Sequence, residues 1–133
     1  REVSVLSFVD GKTIKTMTSA QDHKRAGDGD TGLNTGGMGT FFHRAPSIRM
    51  KSMISAKIHL SGNGGCHAKE GREFKGIIFF GLMLTEKGPR VLEYNARFGD
   101  PEAQVVLPRM KNDLVEVCEA CIDGKLDEVD LQF

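Results

Sequence analysis

The fold is indicated most clearly by the stretch FKGIIFFGLMLTEKGPRVLEYNAR, residues 74–97. The segment from Phe74 to Leu84 is strongly apolar, and Glu86-Lys87-Gly88-Pro89 after it has the residue types of a turn. The segment from Arg90 to Arg97 then returns with strand-forming residues. The stretch therefore predicts a β-hairpin.

Another hairpin is predicted at the beginning of the chain. Val3, Val5, Ser7 and Val9 alternate with Ser4, Leu6 and Phe8, and Asp10-Gly11 provides the residue types that a tight turn with positive φ favours. The segment from Thr13 to Met17 has the pattern of a returning strand. We expect the two hairpins to lie in one antiparallel sheet.

Two helices are predicted after residue 100, a short one near Glu102 to Leu107 and a longer one near Asp113 to Ile122. Asp113 and Glu116 have the spacing of a capping box, and Gly124 stands where a left-handed residue closes a helix. The sequence contains no internal repeat and no linker. Residues 1–133 are therefore predicted to be one α+β domain, with the helices packed on the antiparallel sheet.

The composition is typical of a globular domain of ordinary size. Hydrophobic residues make up 39% of the 133 residues, which is enough for a core. The 18 basic and 18 acidic residues balance, so no long-range field attracts nucleic acid or an anionic membrane. No apolar run approaches the roughly 20 residues that span a bilayer, and residues 1–7 do not resemble a signal peptide. We therefore expect a cytoplasmic protein without nucleic-acid or membrane partners.

The three cysteines are an odd number in a chain without secretory features, which argues against a disulfide framework. Cys118 and Cys121 have the CxxC spacing of zinc ligands, and Cys66-His67 could complete such a site. The alternative, which is commoner, is that the pair packs as small apolar residues within an amphipathic helix.

The strand near residues 91–97 carries a row of chemically active side chains. The two-residue period of a strand places Glu93, Asn95 and Arg97 on one face, and it predicts that Leu92, Tyr94 and Ala96 form a core face. A carboxylate and an amide carbonyl are hard oxygen ligands suited to Mg²⁺ shared with phosphates. The guanidinium could hold a phosphoryl oxygen. The alternative is a solvated strand face.

The segment from Gln21 to Gly39 has no apolar periodicity and is predicted to be a long loop, either ordered or disordered. It contains Asp22-His23-Lys24-Arg25 and, further on, Asn34-Thr35-Gly36-Gly37-Met38-Gly39. Its glycines let backbone N–H groups approach an anion closely, and its cations suit a phosphate or a carboxylate. A solvated charged turn is the alternative, and the segment is not a Walker motif.

Four stretches resemble the ATP-grasp domain of phosphoribosylamine–glycine ligases, also called glycinamide ribonucleotide synthetases. They are VSVLSFVDGKTI, AQDHKRAGDGDTGLNTGGMGTF, GIIFFGLMLTEKGPRVLEYNARFGDPEAQVVLPRMKNDLVE and IDGKLDE. The DHKR and NTGGMG parts of the loop and the strand LEYNARFGDPE are the most distinctive. The resemblance implies that the chain forms the C-terminal part of an ATP-grasp fold and is a piece of a longer ligase.

The resemblance also implies an ATP-dependent carbon–nitrogen ligation of purine biosynthesis. ATP phosphorylates glycine to glycyl phosphate, and the amine of 5-phosphoribosylamine attacks it to give glycinamide ribonucleotide, ADP and phosphate. The implied cofactor is Mg²⁺ or Mn²⁺, and the implied partners are the small-molecule substrates and the remaining domains of the ligase. The chain alone is expected to be inactive.

Individual roles follow from the same resemblance. Glu93 and Asn95 are the implied metal ligands, Arg97 and Lys24 the implied catalytic residues, and Glu2 a candidate for contact with the ribose of ATP. The residues expected to bind substrate or phosphate are Asp22, His23, Arg25, Asn34, Thr35, Gly36, Gly37 and Asp100.

The sequence departs from the family pattern at two places. Leu33 stands where the family usually has proline, a residue that fixes φ. Pro46-Ser47 could begin a helix that the family contains, but each glycine of the segment SGNGG, residues 61–65, would cost about 1 kcal/mol inside it. Two alternative functions stay open: a non-catalytic module that binds a partner or a nucleotide, and another ATP-grasp ligase that joins a carboxylate to a different amine.

Overall fold

The computed structural model describes residues 2–42 and 73–133, so the helix predicted to begin near Pro46 lies outside the described residues. The seven strands of the described ranges are β1 (Glu2–Asp10), β2 (Ile14–Asp22), β3 (Arg25–Gly27), β4 (Thr31–Asn34), β5 (Thr40–Phe42), β6 (Lys75–Thr85) and β7 (Gly88–Asn95). Two helices, α1 (Ala103–Val106) and α2 (Leu114–Asp123), are each followed by a short 3₁₀ helix, at Leu107–Arg109 and Leu126–Glu128.

The main sheet has five antiparallel strands in the order β5-β2-β1-β6-β7. Both predicted hairpins are present, and the pairing of β1 with β6 joins them into one sheet. Gly11 and Gly88 supply positive φ angles of 93° and 96° at the two turns, which glycine adopts at little cost. The predicted α+β architecture is therefore confirmed.

Apolar residues cover both faces of the sheet. We call the face on which α1 and α2 pack the helix face. Its buried cluster consists of Leu6, Phe8, Met17, Ala20, Phe79, Val106, Val117, Cys121 and Leu126. The cluster on the opposite face consists of Val3, Val5, Val9, Ile78, Phe80 and Leu82.

Helix α2 begins and ends where the sequence predicts. The Asp113 side chain accepts hydrogen bonds from the backbone N–H groups of Val115 and Glu116, at 2.7 and 3.4 Å, which satisfies donors that a helix leaves free. Gly124, with φ of 69°, closes the helix in the left-handed conformation. Within the described ranges, none of the helices has the length and apolar character needed to cross a membrane.

The predicted loop from Gln21 to Gly39 is more regular than expected. Strands β3 and β4 pair in a separate two-stranded ribbon, with Arg25 opposite Asn34 and Gly27 opposite Thr31. Every residue of the ribbon strands is exposed. The ribbon therefore has no apolar face, which is why the sequence carries no periodic signal for it.

The predicted core face of Leu92, Tyr94 and Ala96 is wrong. Leu92 and Tyr94 are 53% and 45% exposed, and Ala96 is exposed as well. Two causes act together: β7 is the edge strand of the sheet, and a register shift between Gly81 and Leu82 interrupts its pleat. Tyr94 still packs edge-to-face against the Phe80 ring, at 5.3 Å between centroids.

Candidate active site

The antiparallel register brings residues of four strands into one row on the helix face. Glu93 on β7 lies opposite Gly81 on β6, and Gly81 lies opposite Ser4 on β1. Ser4 in turn lies opposite Ala20 on β2. Residues directly opposite each other in an antiparallel pair share a face, so the row crosses the sheet at the end where β1 begins.

Three further candidates lie one step from this row. Glu2, Asp22 and Asn95 each stand two positions along a strand from a member of the row, and alternate residues of a strand point to the same face. The sheet thus places the predicted metal ligands Glu93 and Asn95 on the same face as Asp22, although the chain separates them widely.

A cleft of about 430 Å³ lies at this end of the sheet. Nine residues line it: Glu2, Gln21, Asp22, His23, Lys24, Arg25, Asp30, Asn34 and Met83. Six of the residues expected to bind substrates or to act in catalysis are therefore together. Gln21, Asp30 and Met83 were not among the sequence candidates. Only the strand register, which a single sequence does not show, brings Met83 of β6 opposite Glu2.

Lys24 is the cation that the carboxylates of the site surround. Its ammonium forms an ion pair with Glu2. Burial lowers the pKa of Lys24, but the hydrogen bond and charge of Glu2, together with the charges of Glu93 and Asp22, outweigh burial and raise it. Lys24 therefore stays protonated at neutral pH, and it is available to an anionic group that competes with Glu2.

Asp22 has the opposite electrostatic position. Burial and the negative charge of Glu102 raise the pKa of Asp22, while Lys24 and backbone hydrogen bonds from Gly39 and His23 lower it, and the net shift is upward. Its Oδ1 atom is buried without a hydrogen-bond partner among the described residues. Such an oxygen is costly in the free protein and ready to accept a donor from a ligand.

Backbone hydrogen bonds fix the glycine loop, by which we mean Thr35–Gly39, against the segment after β2. The Thr35 amide and hydroxyl both donate to the Lys24 carbonyl oxygen, at 2.6 and 2.9 Å. The His23 amide donates to the Gly39 carbonyl at 2.9 Å, and the Met38 amide donates to the His23 carbonyl at 2.9 Å. The two stretches that the sequence analysis singled out are thus held side by side.

Gly37 is the position in this loop where a side chain has no room. Its φ angle is 121°, and a Cβ atom there would lie 2.8 Å from Asp22 Oδ2 and 3.0 Å from Pro101 Cδ. The backbone therefore passes close to a carboxylate and to the turn before α1. Gly36, by contrast, has open space around it, so only Gly37 of the pair requires glycine for packing.

Glu102 is a buried carboxylate bonded to Ser4 of the row, and the sequence analysis did not name it as a candidate. It is only 4% exposed, and the Ser4 hydroxyl donates a hydrogen bond of 2.8 Å to its Oε1 atom. The sequence placed Glu102 at the start of a helix, where an acidic residue is ordinary. Its burial depends on Ser4, which is 98 positions away in the chain, so the single available signal was a serine within the apolar alternation of β1.

Three predicted site residues make local contacts, and two of them, Arg97 and Asp100, are not among the residues that line the cleft. Strand β7 ends at Asn95, so Arg97 lies beyond the ladder, and its guanidinium donates to the carbonyl of its neighbour Phe98 at 2.8 Å. Asp100 is exposed and accepts from the Gln104 amide at 2.7 Å. Arg25, which does line the cleft, donates to the Gly32 carbonyl at 2.7 Å and so braces the ribbon.

The donors Glu93 and Asn95 fit a hard divalent cation that a phosphate also coordinates. Gly81 lets the Glu93 side chain lie flat across the sheet, because a Cβ atom at Gly81 would be 2.8 Å from Glu93 Cγ. One carboxylate and one amide oxygen are too few for a cation cage made of protein alone, but they match Mg²⁺, which retains other ligands. The described residues contain no group of three or more His, Cys, Asp or Glu that could hold a metal.

The surroundings of Cys118 and Cys121 indicate that the pair packs as small apolar residues and does not bind zinc. Cys121 is 3% exposed within the helix-face cluster, and burial raises the pKa of its thiol to about 11. Zinc requires the thiolate, which such an environment disfavours. Cys118 packs against the same cluster, and Cys66-His67 lie outside the described residues.

Comparison with known proteins gives consistent matches. A family model described as "Phosphoribosylglycinamide synthetase, ATP-grasp (A) domain" matches residues 1–103. The chain is 53% identical over 130 residues to a phosphoribosylamine–glycine ligase of Rhodopirellula baltica, covering 96% of this chain and 29% of that protein. It is 51% identical over 133 residues to the trifunctional purine biosynthetic protein adenosine-3 of Drosophila melanogaster, covering 99% of this chain and 10% of that protein.

The fold is similar to that of a solved ligase. The crystal structure of phosphoribosylamine–glycine ligase from Thermotoga maritima matches with a TM-score of 0.76 at 34% sequence identity, over 93% of this chain and 31% of that chain. The chain therefore spans less than a third of the length of these relatives.

Proposed function

This chain belongs to the phosphoribosylglycinamide synthetase ATP-grasp (A) domain family, and we propose that it supplies the metal-binding strand and the glycine loop of a phosphoribosylamine–glycine ligase. In the proposed reaction, a carboxylate oxygen of glycine attacks the γ-phosphorus of ATP, and ADP leaves. The amine of 5-phosphoribosylamine then attacks the carbonyl carbon of glycyl phosphate. Phosphate leaves, the amine nitrogen loses a proton, and the product is glycinamide ribonucleotide.

The observation that carries this proposal is the common face of the sheet. Glu93 and Asn95 lie on the face and at the end of the sheet where Asp22 and Lys24 line the cleft. Phosphoryl transfer depends mainly on positioning and on stabilisation of charge. A cleft that combines oxygen ligands for a cation with a lysine for an anion meets both needs.

Each group has a task in the proposed mechanism. Glu93 and Asn95 would hold Mg²⁺ or Mn²⁺, which when bound neutralises charge on the phosphates. Lys24 donates to the anionic oxygens of the acyl phosphate once they displace Glu2. Arg97 is exposed next to the metal strand, and its guanidinium donates hydrogen bonds to the transferring phosphoryl group.

The glycine loop supports the substrate side of the cleft. The residues proposed to contact glycine, acyl phosphate or phosphoribosylamine are Asp22, His23, Arg25, Asn34, Thr35, Gly36, Gly37 and Asp100. Glu2 is proposed to reach the ribose of ATP. The remaining domains of the ligase complete the site, and the cytoplasm is the proposed location.

The structure favours this function over the two alternatives. A non-catalytic module has no need for an oxygen-ligand strand beside a lysine that three carboxylates surround. A ligase for a different amine would share the strand, but the glycine loop that packs on Asp22 belongs to the part of the chain that matches this family.

The proposal is tested in a full-length ligase that carries this segment. Glu93→Ala is expected to reduce Mg²⁺-dependent ADP formation by more than about 100-fold, since loss of even an outer partner of a metal ligand costs roughly 10- to 100-fold. Glu86→Ala, in the exposed turn of the same hairpin, is the matched control and should retain activity. Binding of Mn²⁺, measured by electron paramagnetic resonance, should weaken in Glu93→Ala and stay unchanged in Glu86→Ala. Near-normal turnover and Mn²⁺ binding in a folded Glu93→Ala variant would contradict the proposal and indicate that this strand face is only a solvated surface.

A further inference from the structure

We propose that Glu102 is a positioning residue of this site, which holds the turn before α1 against the sheet and keeps the Asp22 carboxylate in place for the cationic amine of a small substrate. The inference deepens the proposed function and rests on it. Glu102 acts through Asp22 and the turn and does not itself touch substrate.

The first observation is that Glu102 is anchored where a helix residue need not be. Glu102 is 4% exposed, and its carboxylate accepts a hydrogen bond from the Ser4 hydroxyl at 2.8 Å. Ser4 is itself 4% exposed and lies in the row that connects Glu93 to Ala20. Burying a carboxylate costs several kcal/mol in order of magnitude unless it is paired. A residue with only a packing role would more easily be apolar.

The second observation is that the turn before α1 is built around this carboxylate. A Cβ atom on Gly99 would lie 2.3 Å from Glu102 Oε2, so the backbone of Gly99 passes directly beside it. The Ala103 amide donates to the Gly99 carbonyl at 2.9 Å and closes the turn. On the other side, Pro101 packs against Gly37 of the glycine loop. The Glu102–Ser4 bond therefore fixes the turn that the loop packs on.

The third observation is the charge that Glu102 presents to Asp22. Within the described part of the chain, the charged groups that act on Asp22 are Glu102 from the turn before α1 and Lys24 from the segment after β2. The glycine loop contributes only the Gly39 amide, and His23 likewise contributes its amide. Burial first, and Glu102 second, raise the pKa of Asp22.

The consequence is a preference for a positive group. Asp22 Oδ1 is buried without a hydrogen-bond partner among the described residues, and Lys24 is already paired with Glu2. An ammonium group at Asp22 would supply the missing donors and would also be attracted by Glu102. A neutral isostere of Glu102 should therefore weaken amine binding without affecting ATP binding.

The test uses Glu102→Gln in a full-length ligase that carries this segment. Glutamine retains an oxygen for Ser4 and removes the charge. We expect KM for glycine to rise about tenfold or more, because the bond to Ser4 loses its charge assistance and the charge that attracts the ammonium group is removed, with KM for ATP changed less than twofold. The acid limb of the pH profile for glycine should move to lower pH, because removal of a like charge lowers the pKa of Asp22. Glu119→Gln, on the exposed side of α2, is the control.

A second measurement separates this inference from the proposed function. The carboxyl carbon of Asp22 is titrated by ¹³C NMR, with Asp22→Asn for assignment, and Glu102→Gln should lower its pKa whether or not the protein ligates glycine. An unchanged titration, or equal rises in KM for glycine and ATP, overturns the inference. Absence of glycine-dependent ADP formation in the unsubstituted enzyme overturns the proposed function instead. If Glu102→Gln does not fold, Ser4→Ala is used instead, because it keeps the charges of Glu102 and Asp22. Ser4→Ala should raise KM for glycine but not KM for ATP; an unchanged KM for glycine would show that the Ser4–Glu102 hydrogen bond has no positioning role.

Discussion

Asp10 is expected to be the most important carboxylate for stability in the described part of the chain. It is 1% exposed at the turn between β1 and β2. Its Oδ1 atom accepts from the Lys12 and Thr13 amides, at 2.9 and 2.6 Å. Its Oδ2 atom accepts from the Leu126 amide at 3.1 Å. One side chain thus closes the first hairpin and attaches the last 3₁₀ helix to the sheet.

We expect Asp10→Asn to lower the free energy of unfolding by about 2 to 4 kcal/mol. Asparagine keeps one acceptor for the turn amides but directs an NH₂ group at the Leu126 amide. One charge-assisted bond is lost, at about 1.5 to 3 kcal/mol, and a buried donor is left unsatisfied, at about 1 to 3 kcal/mol, with partial relaxation between them. Asp113→Asn is the matched control, because asparagine caps a helix nearly as well as aspartate on an exposed side.

The effect should depend on pH in a defined direction. Burial raises the pKa of Asp10, but the backbone hydrogen bonds outweigh it, and the net shift is downward. A lowered pKa in the folded state gives stability that is present above the unfolded pKa, about 3.9, and lost as the pH falls through the folded pKa. Urea unfolding followed by circular dichroism should therefore show a large difference between wild type and Asp10→Asn at pH 7. A difference below about 0.5 kcal/mol at pH 7, or one that persists unchanged at pH 2, would show that the charge of Asp10 does not stabilise the fold.

Two further predictions concern activity. Gly37→Ala should reduce ligase activity by about tenfold or more, because the φ of 121° at Gly37 and the 2.8 Å from its Cβ position to Asp22 Oδ2 leave no room for a methyl group. Gly36→Ala is the control and should be nearly neutral. Initial rates of ADP release compare the two variants, and equal losses would contradict this account of the loop. The 133-residue chain alone should make no measurable glycinamide ribonucleotide in a purified assay, because phosphoryl transfer also requires lysines that hold the nucleotide phosphates. If the purified chain, free of the expression host's own ligase, forms product, the chain needs no other domain for the reaction.

Much of the fold could be predicted because its signals are local. The Asp10-Gly11 turn, the alternation in β1 and the caps at Asp113 and Gly124 all appear within a few residues of the element they define. The ribbon of β3 and β4 could not be predicted in this way. Its strands have three and four residues and bury nothing, so no hydrophobic period exists to detect.

The site was predictable as a set of residue types but not as an arrangement. Glu93 and Asn95 share a face because β7 is a strand as far as Asn95, and Arg97 departs because the strand ends there. The exposure of Leu92 depends on the sheet order and the register shift in β7, which only tertiary structure determines. Glu102 was missed for the same reason, since its partner Ser4 is close in space and distant in sequence.

The position of β1 at the centre of the main sheet has a consequence for folding kinetics. Its pairing with β2 is local, as is the pairing of β6 with β7, so each hairpin can form within microseconds. Joining β1 to β6 then closes a long loop and is expected to be the slower step. The entropy of closing a flexible loop grows only logarithmically, by about 0.6 kcal/mol for each doubling of its length. A longer connection between the two hairpins would therefore add little to the free-energy cost of this step.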